Sequence, residues 1–143
     1  MSDLPSMSGR ALIAAGGTGG HVYPALAVAG LLTEQGWSVD WVGTERGIEQ
    51  RLVPAAGLPL HHLSVSGLRG KNWVARVQGA LRLVAALWQS LSLMWRVKPD
   101  VVLGMGGYAA GPAGLAAWLT RRPLVIHEQN SVGGTTNRWL APL

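Results

Sequence analysis

Four glycines within five residues, Gly16-Gly17-Thr18-Gly19-Gly20, follow directly on the apolar run Leu12-Ile13-Ala14-Ala15 and precede His21. So dense a glycine cluster ends a buried strand in a tight turn. A helix is then expected from about Tyr23 to Gln35, with Pro24 in its first turn and Gly36 as its stop. Strand, glycine turn and helix form one unit, and the rest of the chain repeats it. Ser38–Gly43, Leu60–Leu63, Asp100–Gly104 and Pro123–His127 read as further strands. Glu45–Ala56, interrupted near Pro54, then Trp73–Val97, Pro112–Leu119 and a beginning at Thr135–Leu140 read as helices. The strands are continuous apolar runs, which is the pattern of a parallel sheet buried on both faces. The expected fold class is α/β, a parallel sheet with helices on both faces.

With 143 residues, 48% hydrophobic and 13% charged, the chain suffices for one domain with a real core and is too apolar to be disordered. Residues 1–9 read as a disordered leader and 10–143 as the folded domain. The chain stops at Leu143 inside a helical pattern without a capping signal, so it is expected to be part of something longer. It contains no cysteine, which removes disulfides and thiolate metal sites. The largely polar first ten residues are no secretory signal. The longest uncharged apolar stretch of helical character, Leu83 to Trp95, falls short of the roughly 20 residues that span a bilayer.

The net charge is +5, and its placement says more than its size. No acidic residue occurs from Gln50 to Pro99, where Arg51, Arg69, Lys71, Arg76, Arg82, Arg96 and Lys98 all lie. Such a segment points to an anionic partner: nucleic acid, a phosphorylated metabolite or anionic lipid. The aromatics are seven Trp, two Tyr and no Phe, without the regular interleaving that stacks bases. Trp beside Arg and Lys suits a membrane interface better. Within Trp73–Val97, residues Val74, Val77, Leu81, Val84, Trp88, Leu91 and Trp95 keep i+3/i+4 spacing and form one face, broadened by Leu83, Leu87 and Met94. Most of this helix is expected to cover the sheet, with its arginines in solvent. The surplus of basic residues and Trp73, Trp88 and Trp95 adds a second role as an interfacial patch on anionic lipid, where each basic residue contributes about 1 kcal/mol.

Ligands of parallel sheets bind beyond the carboxyl ends of the strands. Three polar or glycine-rich segments fall there. In Gly16–His21, closely approaching backbone N–H groups and a following helix start suit an anion. It is not the dinucleotide fingerprint, since counting from Gly17 puts Val22 at the last glycine. Gly70-Lys71 is no P-loop either, with Val65 at the first glycine position and no Ser or Thr after the lysine. Gly104-Met105-Gly106-Gly107-Tyr108 repeats the design, and two such loops suit two anionic groups or one diphosphate. His127-Glu128-Gln129-Asn130 suits the hydroxyls and amides of a sugar, with Glu128 as a base or electrostatic partner. His21 reads as a phosphate donor or an acid/base. Plainer alternatives stand beside these: turn geometry for the two glycine loops, a solvated loop for the third segment, a helix-start cap for His21. The histidines lack metal-ligand spacing, because His61 and His62 are adjacent and would face opposite ways on a strand.

Taken in order, Gly16 to Val22 with Pro24, Ser66 to Lys71, Lys98 to Val102, Gly104 to Tyr108 with Gly111-Pro112, and His127 to Asn130 resemble the MurG family of peptidoglycan glycosyltransferases. The resemblance runs from about residue 10 to the end. It implies the amino-terminal half of a GT-B fold, in which two Rossmann-like domains face a cleft. It implies transfer of N-acetylglucosamine, with inversion, from UDP-N-acetylglucosamine to undecaprenyl-diphospho-muramoyl-pentapeptide, without cofactor or metal. It further implies a peripheral enzyme on the cytoplasmic face of the bacterial inner membrane. Carried over by position, Thr18, Gly19, Gly20 and Asn130 would contact the donor. The glycine loops, with Gly106, Gly107 and Tyr108, would hold the acceptor diphosphate. His21 and Glu128 are the candidates for the base that deprotonates the muramoyl 4-hydroxyl. Arg69, Lys71, Trp73, Arg76, Arg82 and Trp88 match the family's membrane-contact surface. The family's carboxy-terminal donor domain has no counterpart in this chain, so the fragment alone is expected to be inactive. A second reading is a non-catalytic module that holds a polyprenyl diphosphate at a membrane. A nucleic-acid binder, suggested by charge alone, is the weakest.

Overall fold

The computed structural model describes residues 8–65, 72–128, 138 and 140–143. Among them the elements run β1 (Arg10–Ala15), α1 (Gly19–Glu34), β2 (Ser38–Thr44), α2 (Glu49–Ala55), β3 (Leu60–Leu63), α3 (Trp73–Val97), β4 (Val101–Gly106), α4 (Ala110–Leu119) and β5 (Leu124–Ile126). The strands form one parallel sheet in the order β3-β2-β1-β4-β5. The chain therefore builds outward from β1 to β3, crosses back through α3, and continues outward on the other side from β4. The order reverses between β1 and β4, so a crevice opens at their carboxyl ends.

Strand β1 is buried on both faces, and alternate residues feed two cores. Leu12 and Ala14 join Leu93, Met94 and Val97 of α3 and the alanines of α4. Ile13 and Ala15 join Val22, Ala25 and Ala29 of α1, Trp41 and Val53. Each fully buried Leu, Ile or Met among these contributes roughly 1.5–3 kcal/mol. Arg10 secures the start of β1: its N–H donates to Asp100 at 2.8 Å and its guanidinium to the Val97 carbonyl at 2.9 Å.

Helix α1 begins at Gly19 rather than near Tyr23, so Gly19, Gly20 and His21 form its first turn and Pro24 lies inside it. Glycine costs about 0.5–1 kcal/mol relative to alanine in a helix, which is why a propensity reading starts the helix later. Helix α2 is shorter than expected and opens at Glu49. The start expected at Thr135–Leu140 lies mostly outside the described residues; Leu140 itself is buried.

The larger correction concerns α3. Its buried residues are Gly79, Ala86, Ser90, Leu93, Met94 and Val97. Val74, Val77, Leu81, Val84, Trp88 and Trp95 of the expected packing face are exposed instead; of the rest, Met94 is buried and Leu87 and Leu91 pack partly against the core, as expected. At about 100° per residue the two sets lie on opposite sides of the helix. The side turned inward is small along Gly79, Ala86 and Ser90 and larger at Leu93, Met94 and Val97, the last three packing in one core with Ala110, Ala113, Ala116 and Ala117 of α4. The bulkier stripe is left outward. Asn72 caps α3 by accepting from the Ala75 N–H at 2.9 Å, and Lys98, at φ 51°, ends it before Pro99.

Candidate functional site

The first glycine loop is pinned on both sides of Gly16. The Ala15 carbonyl accepts the indole N–H of buried Trp41 at 2.8 Å. The Gly17 N–H donates to a Glu49 carboxylate oxygen at 3.0 Å, with Gly17 at φ 95°. Thr18 then takes the N-cap position, and its carbonyl accepts from the N–H groups of His21 and Val22. Among the described residues its hydroxyl makes no capping bond. The amino terminus of α1, the positive end of its dipole, is thereby presented at the end of β1.

The second loop meets the first directly. Ala14 pairs with Gly104 but Ala15 pairs with Gly106, so β4 carries one extra residue, Met105. The bulge carries Gly106 (φ 106°) and Gly107 (φ 87°) into the crevice. A Cβ on Gly106 would run into the His21 ring, with Cε1 only 2.7 Å away, and one on Gly107 would overlap the Gly16 carbonyl. Thr18, Gly19, Gly20, His21, Gly106, Gly107 and Tyr108 are thus brought to one place. His21 is half-buried there, and the Tyr108 ring is 57% exposed.

Beside this crevice an open cleft of about 600 Å³ is lined by Gly17, Thr44, Arg46, Ser64, Arg82 and Tyr108 among others. Two cations, Arg46 and Arg82, border it, and both are solvent-exposed. Sequence reasoning placed Arg82 with the membrane patch and passed over Arg46. It also missed Glu49, which is fully buried beneath the loop. The signal available was Gly43 and Gly47, a third pair of glycines at a strand end.

Other residues singled out in the sequence lie elsewhere. Glu128 lines a separate cavity of about 490 Å³ with Leu124, Arg138 and Leu140, beyond β4 from the first loop. Asn130, Arg69 and Lys71 lie outside the described residues. Trp73, Arg76 and Trp88 are exposed on α3. Trp88 (66% exposed) and Trp95 (58%) meet edge to face, with centroids 6.5 Å apart. Among the described residues no helix is long and apolar enough to cross a membrane, and no group of three or more His, Asp or Glu could hold a metal ion.

The glycosyltransferase family 28 N-terminal domain matches residues 11–143. A relative from Alkalilimnicola ehrlichii is 60% identical over 132 residues, which is 92% of this chain and 37% of that protein. It is named UDP-N-acetylglucosamine–N-acetylmuramyl-(pentapeptide) pyrophosphoryl-undecaprenol N-acetylglucosamine transferase. The crystal structure of Acinetobacter baumannii MurG superposes with a TM-score of 0.84 at 41% identity, over 94% of this chain and 39% of that one. A Streptomyces glycosyltransferase, SsfS6, complexed with thymidine diphosphate, shares the fold alone at 20% identity, with a TM-score of 0.65 over 92% of this chain and 42% of that one. The fold is thus the Rossmann-like amino-terminal half of a GT-B glycosyltransferase, and the chain spans under two-fifths of the A. ehrlichii relative's length.

Proposed function

The chain belongs to the glycosyltransferase family 28 N-terminal domains, and from that membership we propose that it is the acceptor-side half of an N-acetylglucosaminyltransferase of peptidoglycan synthesis. The donor is UDP-N-acetylglucosamine and the acceptor undecaprenyl-diphospho-muramoyl-pentapeptide, so lipid I becomes lipid II. The observation that carries the proposal is the pair of interlocked glycine loops at the point where strand order reverses. Loops of this kind beside a helix amino terminus suit a diphosphate. Arg46 and Arg82 on the cleft supply positive charge for the same group.

In the proposed reaction the muramoyl 4-hydroxyl attacks C1 of the donor sugar. Its proton passes to a base, the new C–O bond forms, and the sugar–phosphate bond breaks with its electron pair leaving on UDP. Of the two candidate bases His21 has the better position, because its ring lies against Gly106 between the two loops. Glu128 faces the other cavity. Thr18, Gly19 and Gly20, with Asn130, would meet the donor, and Gly106, Gly107 and Tyr108 the acceptor. The exposed Trp73, Arg76, Trp88, Trp95 and Arg96 of α3 would rest on anionic lipid, with Arg82 turned to the cleft instead, making the enzyme peripheral at the cytoplasmic face of the inner membrane.

The test is transfer from UDP-N-acetylglucosamine to a lipid-linked acceptor, for this chain and for the chain joined to a carboxy-terminal domain of its relatives. Transfer by the longer protein only is the expected result. Diphosphate binding without transfer by either would favour a non-catalytic module. His21→Ala in the longer protein should lower kcat by roughly 10²–10⁴-fold, the usual worth of a general base. An unchanged kcat would remove His21 from that role.

A further inference from the structure

Glu49 takes no part in the chemistry above, yet it is fully buried. It opens α2 and reaches back under the end of β1. One carboxylate oxygen accepts the Gly17 N–H at 3.0 Å; the other accepts the Thr44 N–H at 2.8 Å and the Thr44 hydroxyl at 2.9 Å. Three glycines close around it. A Cβ on Gly16 would lie 2.5 Å from its Oε1 and one on Gly43 2.6 Å from its Cγ, while one on Gly47 would overlap the carboxylate.

Burying a carboxylate is costly unless hydrogen bonds replace its water. An apolar side chain of like size would fill the same volume at a smaller desolvation cost. The polar group is therefore explained by what its oxygens hold, and they hold two loops at once: β1–α1 through Gly17 and β2–α2 through Thr44. Both residues line the open cleft, whereas Glu49 lies beneath it. It cannot touch a ligand. It also occupies the Gly17 N–H, so Gly17 has no donor to offer an anion and the diphosphate must be met further along the loop.

We infer that Glu49 is the positioning residue of this cleft: it ties the ends of β1 and β2 together and sets where the amino terminus of α1 meets a diphosphate. This rests on the cleft being a diphosphate site, and the experiment separates the two ideas. The probe is farnesyl diphosphate, titrated calorimetrically into the chain joined to a carboxy-terminal domain of its relatives. Glu49→Gln keeps the shape but turns an NH₂ toward a backbone N–H. It should raise Kd about tenfold, with the fraction of binding-competent protein unchanged. A merely structural role would lower that fraction and leave Kd alone, which would overturn the inference, as would a variant that binds like the wild type. Should Glu49→Gln fail to fold, Thr44→Val removes only the hydroxyl donor to the carboxylate and should raise Kd two- to threefold; no change in Kd would overturn the inference. Absence of binding by the wild type would instead overturn the diphosphate reading from which the inference starts.

Discussion

The glycine crevice and the outer face of α3 are opposites in how much their structure constrains them. In the crevice each backbone turn is closed by another: Gly107 against Gly16, Gly106 against His21, Gly17 on Glu49. On α3 the large side chains Leu81, Val84, Trp88 and Trp95 are exposed, Trp88 and Trp95 touching one another. Shape is specified in the first region and only chemical character in the second. A methyl group added to the crevice should therefore disturb folding, whereas removing a whole indole from the ridge should not.

The largest effect is expected at Gly107→Ala. The new Cβ would overlap the Gly16 carbonyl at a residue with φ 87°. Backbone strain of about 1–3 kcal/mol and overpacking of similar size together predict a loss of roughly 2–6 kcal/mol in urea denaturation. Gly57→Ala is the control: φ is 75° but nothing lies within 4 Å of its Cβ. Only strain remains there, about 1–2 kcal/mol. Equal losses at the two positions would show that interlocking adds nothing to the crevice.

The same contrast explains what sequence could reveal. Apolar runs and glycine punctuation are local signals, so the elements and the two loops were legible, and so was their convergence at the carboxyl ends of the strands. The direction α3 faces was not. A periodic stripe such as Val77, Leu81, Val84 and Trp88 fixes that one side is apolar, and whether that side meets a sheet depends on what the sheet presents. Here α4 presents alanines, and the side of α3 that turned inward combines Gly79, Ala86 and Ser90 with Leu93, Met94 and Val97. Glu49 was illegible for a similar reason. An acid in the first turn of a helix is ordinarily solvated there, and only the folded loops carry its oxygens to Gly17 and Thr44.

On the ridge, the double change Trp88→Ser with Trp95→Ser should leave the denaturation midpoint nearly unmoved, since substitutions of exposed side chains usually fall within about 0.5 kcal/mol. Partitioning onto vesicles containing anionic lipid should fall about tenfold, measured by co-sedimentation. Loss of folded protein instead would mean that the two indoles pack against the domain, and the contrast with the crevice would collapse.

The smallest effect is expected from charge. At about 100° per residue Arg76 lies on one flank of the apolar stripe and Arg96 on the other, the arrangement of a helix lying in a membrane interface. Arg82 lies on the same flank as Arg96, about two-thirds of the way back toward the start of the helix, and there it lines the cleft. One cation near an anionic surface contributes about 1 kcal/mol, roughly fivefold in binding, and less as salt screens it. Arg76→Gln should therefore weaken vesicle binding about fivefold at low ionic strength and hardly at all at 1 M salt. Arg82→Gln should spare vesicle binding and weaken binding of a soluble diphosphate instead. If the two substitutions acted alike on both ligands, the cleft and the ridge would be one electrostatic surface, and the division between them would have to be withdrawn.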